Sequence, residues 1–118
     1  MRILVVDEDP PTRATLADIF EVDMGYRTET ASTGREALRK IEQQFYNVAL
    51  LDVVLPDMEG TELLTRMRRL HPTTYCIIST GFASTDSSIQ AVNEGAFAYI
   101  EKPLDRDHVQ ALVRSALD

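Results

Sequence analysis

Residues 48–56 read Val-Ala-Leu-Leu-Asp-Val-Val-Leu-Pro, so a single carboxylate, Asp52, interrupts an otherwise apolar run. An apolar run without alternating polar residues is typical of a strand that is covered on both faces of a parallel sheet. A charge inside so much apolar sequence costs free energy unless it is paired, which favours a functional role for Asp52. The stretch therefore predicts a buried strand with a functional acid at its end.

Short apolar runs alternate with longer amphipathic segments along the rest of the chain. The runs are residues 3–6, 28–31, 48–51, 76–79 and 97–100. Strands that alternate with helices predict an α/β fold with a parallel sheet, in which residues 28–31, with polar side chains among them, form an edge strand. The length of 118 residues fits one domain over residues 1–118.

Five helices are predicted to follow the strands. The first has Asp9 as its N-cap and ends at Gly25, and the second opens with a capping box at Thr33. The third ends before residues 71–72, because the residue before a proline avoids helical angles, and the others span 84–94 and 105–117. The residues expected to face the core in the second and third helices are Ala37, Leu38, Ile41, Phe45, Leu63, Leu64, Met67 and Leu70.

Composition narrows the class of protein. The net charge of −7 argues against direct nucleic-acid binding, which needs clustered lysines and arginines. The lone Cys76 excludes an internal disulfide and is expected to be a buried core residue in a reducing compartment. The N-terminal apolar stretch is too short for a signal peptide or a membrane span, so we expect a cytoplasmic protein with no membrane contact.

Polar residues follow four of the five predicted strands. Parallel strands end at one edge of their sheet, where ligands of open α/β folds bind, so these side chains are expected to converge. They are Asp7, Glu8, Asp52, Thr80 and Lys102. Three carboxylates at close range repel one another unless a cation lies among them, and oxygen ligands without His or Cys favour Mg²⁺.

Each of these residues also has a purely structural interpretation. Asp7 and Glu8 could belong to a solvated acidic loop, Thr80 could cap a helix, and Lys102 could be a surface charge. For Asp9 the structural interpretation, a turn or helix N-cap, is preferred. The shared sheet edge is what favours function for the others.

Four segments resemble the CheY-like receiver domains of two-component response regulators. They are residues 3–10, 51–60, 79–81 and 99–103, which read ILVVDEDP, LDVVLPDMEG, STG and YIEKP. The resemblance covers the whole chain, and the order and spacing of the four segments make it specific. It implies a (βα)5 doubly wound fold, a flavodoxin-like three-layer sandwich with a five-stranded parallel sheet of order 2-1-3-4-5.

The resemblance also implies roles for individual residues. Asp52 would be the phosphoacceptor, and Mg²⁺, or Mn²⁺ in its place, would be held by Asp7, Glu8, Asp52 and the carbonyl group of Val54. Thr80 would hydrogen-bond the phosphoryl group and Lys102 would pair with it. Tyr99 would be the switch aromatic, and the Lys102–Pro103 peptide bond would be cis.

Partners and rates follow from the same resemblance. The phosphoryl donor would be a sensor histidine kinase or a histidine phosphotransfer protein. The fourth predicted helix, fifth strand and fifth helix would form the surface that controls an output domain or downstream protein, and a phosphorylation-dependent dimer is left open. Val54 and Phe82 flank the expected route of the hydrolytic water, and because both are apolar they predict slow autodephosphorylation.

Two departures from the family pattern stand near the site. Glu8 occupies a position where the family more often has Asp. Its side chain has one more methylene, which would shift the carboxylate relative to a metal ion and so affects direct coordination. Gly81 replaces the commoner Ala after Thr80, which is expected to loosen the following loop.

The sequence predicts a phosphoacceptor signalling domain, which is not an enzyme in the usual sense. Two other functions are alternatives to this interpretation. A Mg²⁺-dependent phosphatase with an aspartyl-phosphate intermediate would share the nucleophile, metal and lysine, but the haloacid-dehalogenase type expects an acid at position 54, which is valine. A pseudo-receiver that is never phosphorylated is disfavoured by the presence of Asp52, Thr80 and Lys102. Steady-state turnover of a phosphate ester would identify a phosphatase. Failure to bind beryllofluoride with Mg²⁺ would identify a pseudo-receiver.

Overall fold

The computed structural model describes residues 1–81 and 95–117. Its strands form one parallel sheet in the order β2-β1-β3-β4-β5, which confirms the predicted topology. The strands are β1 (Arg2–Val6), β2 (Arg27–Ala31), β3 (Val48–Asp52), β4 (Tyr75–Thr80) and β5 (Ala98–Glu101). β2 lies at one edge, as its polar sequence predicts, and β3 lies in the centre with every residue buried.

Four helices lie in the described part of the chain. They are α1 (Pro10–Asp18), which continues into a π-helical turn at Ile19–Asp23, then α2 (Gly34–Gln43), α3 (Gly60–Leu70) and the C-terminal helix (Arg106–Leu117). The predicted helix at residues 84–94 lies outside the described residues. Within the described ranges, no helix is long and apolar enough to cross a membrane.

The helix starts depend on the capping side chains that the sequence predicts. The Asp9 carboxylate accepts a hydrogen bond from the Thr12 amide at 3.2 Å, and Thr33 Oγ1 accepts one from the Glu36 amide at 3.1 Å. Glu36 completes the capping arrangement by accepting from the Ser32 amide, one residue before the cap. The bonds from the Thr12 and Glu36 amides satisfy groups that the first turn of a helix leaves without partners.

Two hydrophobic clusters cover the two faces of the sheet. Strand residues alternate between them because successive side chains of a strand point to opposite faces. One cluster includes Leu4, Val6, Ala49, Leu51, Cys76 and Ile78 and packs against α2 and α3 through Ala37, Ile41, Leu63, Leu64 and Met67. The other includes Ile3, Val5, Leu50, Ile77 and Ile100 and packs against α1, the π-helical turn and the C-terminal helix through Leu16, Ile19, Phe20, Val109, Val113 and Ala116. The result is the expected three-layer arrangement.

Burial of Cys76 agrees with its predicted core position. Its side chain is buried against β3, and burial raises the pKa of the thiol to about 12. A thiol with so high a pKa is almost entirely protonated at neutral pH and is therefore a poor nucleophile.

Two predicted core residues are exposed. Phe45 is 38% exposed and Leu70 is 48% exposed. α2 ends at Gln43 and Gln44 is extended, so the helical period no longer applies and Tyr46 is buried in place of Phe45. At the end of α3 the inward position belongs to His71, whose Nε2 lies 2.7 Å from the carbonyl oxygen of Ile41.

Candidate functional site

Four of the five predicted site residues lie where strands end at one edge of the sheet. Asp52 and Thr80 are the last residues of β3 and β4, and Asp7 and Lys102 directly follow β1 and β5. The ladder continues past the strands, since the Asp7 amide donates to the Ala31 carbonyl and the Lys102 amide donates to the Thr80 carbonyl. The backbone therefore holds these positions before any side-chain contact is made.

The ammonium group of Lys102 joins two buried carboxylates. Its Nζ lies 2.7 Å from Oδ2 of Asp7 and 3.0 Å from Oδ2 of Asp52. Asp7 is 2% exposed and Asp52 is 8% exposed. The other oxygen of each carboxylate accepts a backbone hydrogen bond, from Asp9 at 2.9 Å and from Val54 at 3.2 Å. Both carboxylates are thus fixed in orientation.

Charge in this cluster is only partly balanced. Burial lowers the pKa of Lys102, but the hydrogen bonds from its ammonium group to Asp7 and Asp52 outweigh burial and raise that pKa above its ordinary value of 10.5. Lys102 is therefore cationic at neutral pH, and two carboxylates face one ammonium. The remaining negative charge and the oxygen-only donors fit a hard divalent cation such as Mg²⁺.

Glu8 does not join this cluster. Its side chain is exposed, and no group of three or more acidic, His or Cys side chains within the described ranges is arranged to hold a metal. The expected three-carboxylate cluster is therefore not assembled in this structure. Glu8 lies in the bend that follows β1, and its side chain is exposed whereas that of Asp7 is buried. Metal coordination by Glu8 stays a prediction.

The remaining predicted site residues differ in exposure. Thr80 is 6% exposed, whereas Val54 is 64% and Tyr99 is 41% exposed. The Lys102–Pro103 peptide bond is cis, as the resemblance implies. Phe82 lies outside the described residues.

The loop after Asp52 contains residues for which sequence reasoning predicted no role. Gly60 begins α3 so close to β3 that a Cβ atom there would lie 2.1 Å from the Asp52 carbonyl oxygen. Asp57 accepts hydrogen bonds from the amides of Gly34 and Arg35 at 2.8 and 2.9 Å, so it caps the start of α2. The glycine at position 60 could be seen in the sequence. The cap that Asp57 forms on a helix 23 residues earlier could not be predicted from it.

Arg13 is a third residue whose role the sequence did not reveal. Its guanidinium donates to the Asp7 carbonyl at 2.7 Å and ties α1 to the end of β1.

Comparison with known proteins agrees with this geometry. The response regulator receiver domain family matches residues 3–114. This chain belongs to that family. Receiver domains of this family act in two-component signalling and are signalling domains, not typical enzymes.

Several relatives of this receiver domain are regulatory proteins. The transcriptional regulatory protein ZraR of Escherichia coli K12 is 34% identical over 98% of this chain, and the regulatory protein AtoC of the same organism is also 34% identical over 98%. The chain spans about a quarter of the length of these curated relatives, 26% of ZraR and 25% of AtoC.

Solved structures show the same fold as this receiver domain. A CheY-like receiver domain protein from Methanospirillum hungatei JF-1 has a TM-score of 0.95 and 44% identity, with 99% of this chain and 93% of that chain covered. The BeF3-activated DrrB receiver domain has a TM-score of 0.91 and 28% identity, with 98% and 96% covered.

Proposed function

We propose that this receiver domain accepts a phosphoryl group on Asp52 in a Mg²⁺-dependent reaction. The donor is a phosphohistidine on a sensor histidine kinase or a histidine phosphotransfer protein. One observation carries the proposal: the Asp52 carboxylate shares the Lys102 ammonium with Asp7 at an edge of the sheet. This carboxyl group is held by a backbone amide and lies next to a cation.

The transfer is a direct displacement at phosphorus. A carboxylate oxygen of Asp52 forms a bond to phosphorus while the bond from phosphorus to the donor nitrogen breaks, and the donor imidazole keeps the electron pair. The incoming group carries anionic oxygens, so the ammonium of Lys102 and the hydroxyl of Thr80 contribute by neutralising and hydrogen-bonding them. Because the attacking carboxylate is held by the Val54 amide, little reorganisation is needed before attack.

Asp7, Glu8, Asp52 and the Val54 carbonyl group would hold Mg²⁺, or Mn²⁺ in its place. The metal would neutralise charge on the phosphoryl oxygens. Asp7 suits this role because it is buried next to Asp52 and shares its counterion.

The signal would leave the site through Thr80 and Tyr99. Tyr99 pairs in register with Ile78 on β4 and is exposed, so movement of Thr80 toward a phosphoryl group would open space into which the ring can turn. The output surface would comprise the fourth predicted helix, β5 and the C-terminal helix, in contact with an output domain or downstream protein. We expect this to take place in the cytoplasm, where a lone thiol stays reduced.

Intact mass spectrometry after incubation with acetyl phosphate and Mg²⁺ tests the proposal. The wild-type chain is expected to gain one phosphoryl group, and Asp52→Asn is expected to gain none. Asp57→Asn, which removes an acid from the same loop, is the matched control and should still gain it. Modification of Asp52→Asn to the wild-type extent would show that the phosphoacceptor lies elsewhere.

A further inference from the structure

A groove between α2 and α3 is lined by arginines. Its volume is about 620 Å³, and its lining comprises Arg35, Leu38, Arg39 and Glu42 of α2, Arg66 of α3, and Thr33 and Met58. α2 and α3 cover the face of the sheet opposite to the C-terminal helix. The groove therefore lies on the other side of the sheet from the C-terminal helix, which is one element of the proposed output surface.

The charge of these two helices is opposite to that of the whole chain. α2 and α3 carry six of the twelve basic residues and three of the nineteen acidic ones, in a chain of net charge −7. The basic residues are Arg35, Arg39, Lys40, Arg66, Arg68 and Arg69. This concentration is a local positive surface on an acidic protein.

The arginines of the groove are not used to hold the fold. Arg35, Arg39 and Arg66 are exposed, and within the described ranges their side chains form no hydrogen bond or ion pair, although the charge of Arg35 helps to lower the pKa of Asp57. In contrast, Lys40 donates to the Thr30 carbonyl and Arg68 to the Pro72 carbonyl. Guanidinium groups that line a groove and form no ion pair with a carboxylate of the described residues are suited to binding carboxylates from elsewhere.

We propose that this groove binds an acidic, amphipathic segment of a partner protein. Leu38 and Met58 are partly buried and offer apolar contact between the arginines, and methionine adapts to differently shaped side chains. A helix with acidic and apolar residues on one face matches both features. Glu42 in the groove and the negative charge of the whole chain disfavour a nucleic acid, which would present phosphates along its entire length.

Three labelled peptides of about three helical turns test the proposal by fluorescence polarisation. The first has glutamates and leucines at helical spacing, the second replaces the glutamates with glutamines, and the third replaces the leucines with serines. The first should bind at least about tenfold more tightly than either of the others, and its affinity should fall as salt is added. Amide chemical-shift changes should centre on α2 and α3.

Charge-matched variants distinguish binding in the groove from attraction of the peptide by the overall charge of the protein. Arg39→Gln with Arg66→Gln should weaken binding of the first peptide roughly tenfold, while Arg27→Gln with Arg114→Gln removes the same charge elsewhere and should change it less than about twofold. Equal losses in both double variants would overturn the proposal. So would tighter binding of a twelve-nucleotide single-stranded DNA than of the first peptide, or shift changes on other faces.

Discussion

The ammonium of Lys102 lies 3.0 Å from the carboxylate of Asp52, although 50 residues separate them in sequence. The contact forms because Asp52 ends β3 and Lys102 follows β5, two strands of the same parallel sheet. The same ammonium reaches Asp7, so one cation holds two buried acids together. Breaking such a group by removing one member leaves charge without a partner.

Lys102→Met is expected to destabilise the domain when Mg²⁺ is absent. We expect a loss of about 1–3 kcal/mol in the free energy of unfolding, less than the ~3–5 kcal/mol for a fully buried pair, because the Lys102 side chain is 24% exposed. Millimolar Mg²⁺ should stabilise the variant more than the wild type, since the carboxylates have lost their own counterion. Urea denaturation with and without Mg²⁺ measures both effects.

Lys40→Met is the control for this experiment. Lys40 also donates a hydrogen bond, to the Thr30 carbonyl, but among the described residues it forms no ion pair with Asp7 or Asp52. Mg²⁺ should stabilise the Lys40→Met variant no more than it stabilises the wild type. An equal response of both variants to Mg²⁺ would contradict the cluster as the metal site.

The contribution of Lys102 to stability should disappear at high pH. Its pKa in the folded protein is raised above 10.5, the ordinary value, so the contribution is complete below 10.5 and is lost as the pH rises through the folded-state pKa. The difference in free energy of unfolding between wild type and Lys102→Met should therefore be constant from about pH 8 to 10 and shrink above that range. A difference that shrinks below pH 9 would contradict this assignment.

Strand ends were predictable from sequence because they depend on topology alone. Asp7, Asp52, Thr80 and Lys102 lie at one edge since parallel strands with helical connections all end there. The topology predicts which residues lie at this edge, but it does not predict the direction in which each side chain points. Glu8, next to Asp7, is exposed.

Other features were beyond the reach of local patterns. Phe45 was expected to be buried because it continues the spacing of α2, but the helix ends at Gln43 and the backbone becomes extended. The cap that Asp57 forms on α2 depends on the path of the loop after Asp52, which no local sequence pattern specifies.

Asp57→Asn should destabilise the domain through α2. The variant weakens the hydrogen bonds from Gly34 and Arg35 and removes a negative charge from the helix N-terminus, so we expect a loss of about 0.5–1 kcal/mol at neutral pH. Burial raises the pKa of Asp57, but the hydrogen bonds from Gly34 and Arg35 outweigh burial. The pKa of Asp57 therefore lies below its ordinary value of 3.8. The effect should be present above pH 3.8 and be lost as the pH falls through the folded-state pKa.

Asp18→Asn provides the charge-matched comparison for Asp57→Asn. Asp18 is exposed near the end of α1 and makes no capping hydrogen bond. Chemical denaturation should place this variant within about 0.5 kcal/mol of the wild type. If both substitutions cost the same, the cap contributes nothing specific.

Gly60→Ala should be far more damaging than Gly81→Ala. A Cβ at Gly60 would lie 2.1 Å from the Asp52 carbonyl oxygen, a backbone atom, whereas a Cβ at Gly81 would meet no atom of residues 1–81 or 95–117 within 4 Å. We expect Gly60→Ala to cost more than about 2 kcal/mol and to slow phosphorylation of Asp52 by acetyl phosphate, because α3 must move away from the loop that holds this residue. Thermal melts and phosphorylation rates that are the same for the two variants would refute the close approach.

Val54→Asn should speed the loss of the phosphoryl group from Asp52. Val54 is 64% exposed and two residues beyond Asp52, so an amide there can hydrogen-bond a water molecule that approaches phosphorus, which valine cannot do. We expect the decay rate to rise about tenfold, below the ~10² that a positioned general base supplies. Val22→Asn makes the same substitution at a side chain that is 73% exposed on the π-helical turn and should leave the rate unchanged. Decay followed by intact mass after removal of acetyl phosphate gives both rates, and equal rates would mean that position 54 does not limit access of water.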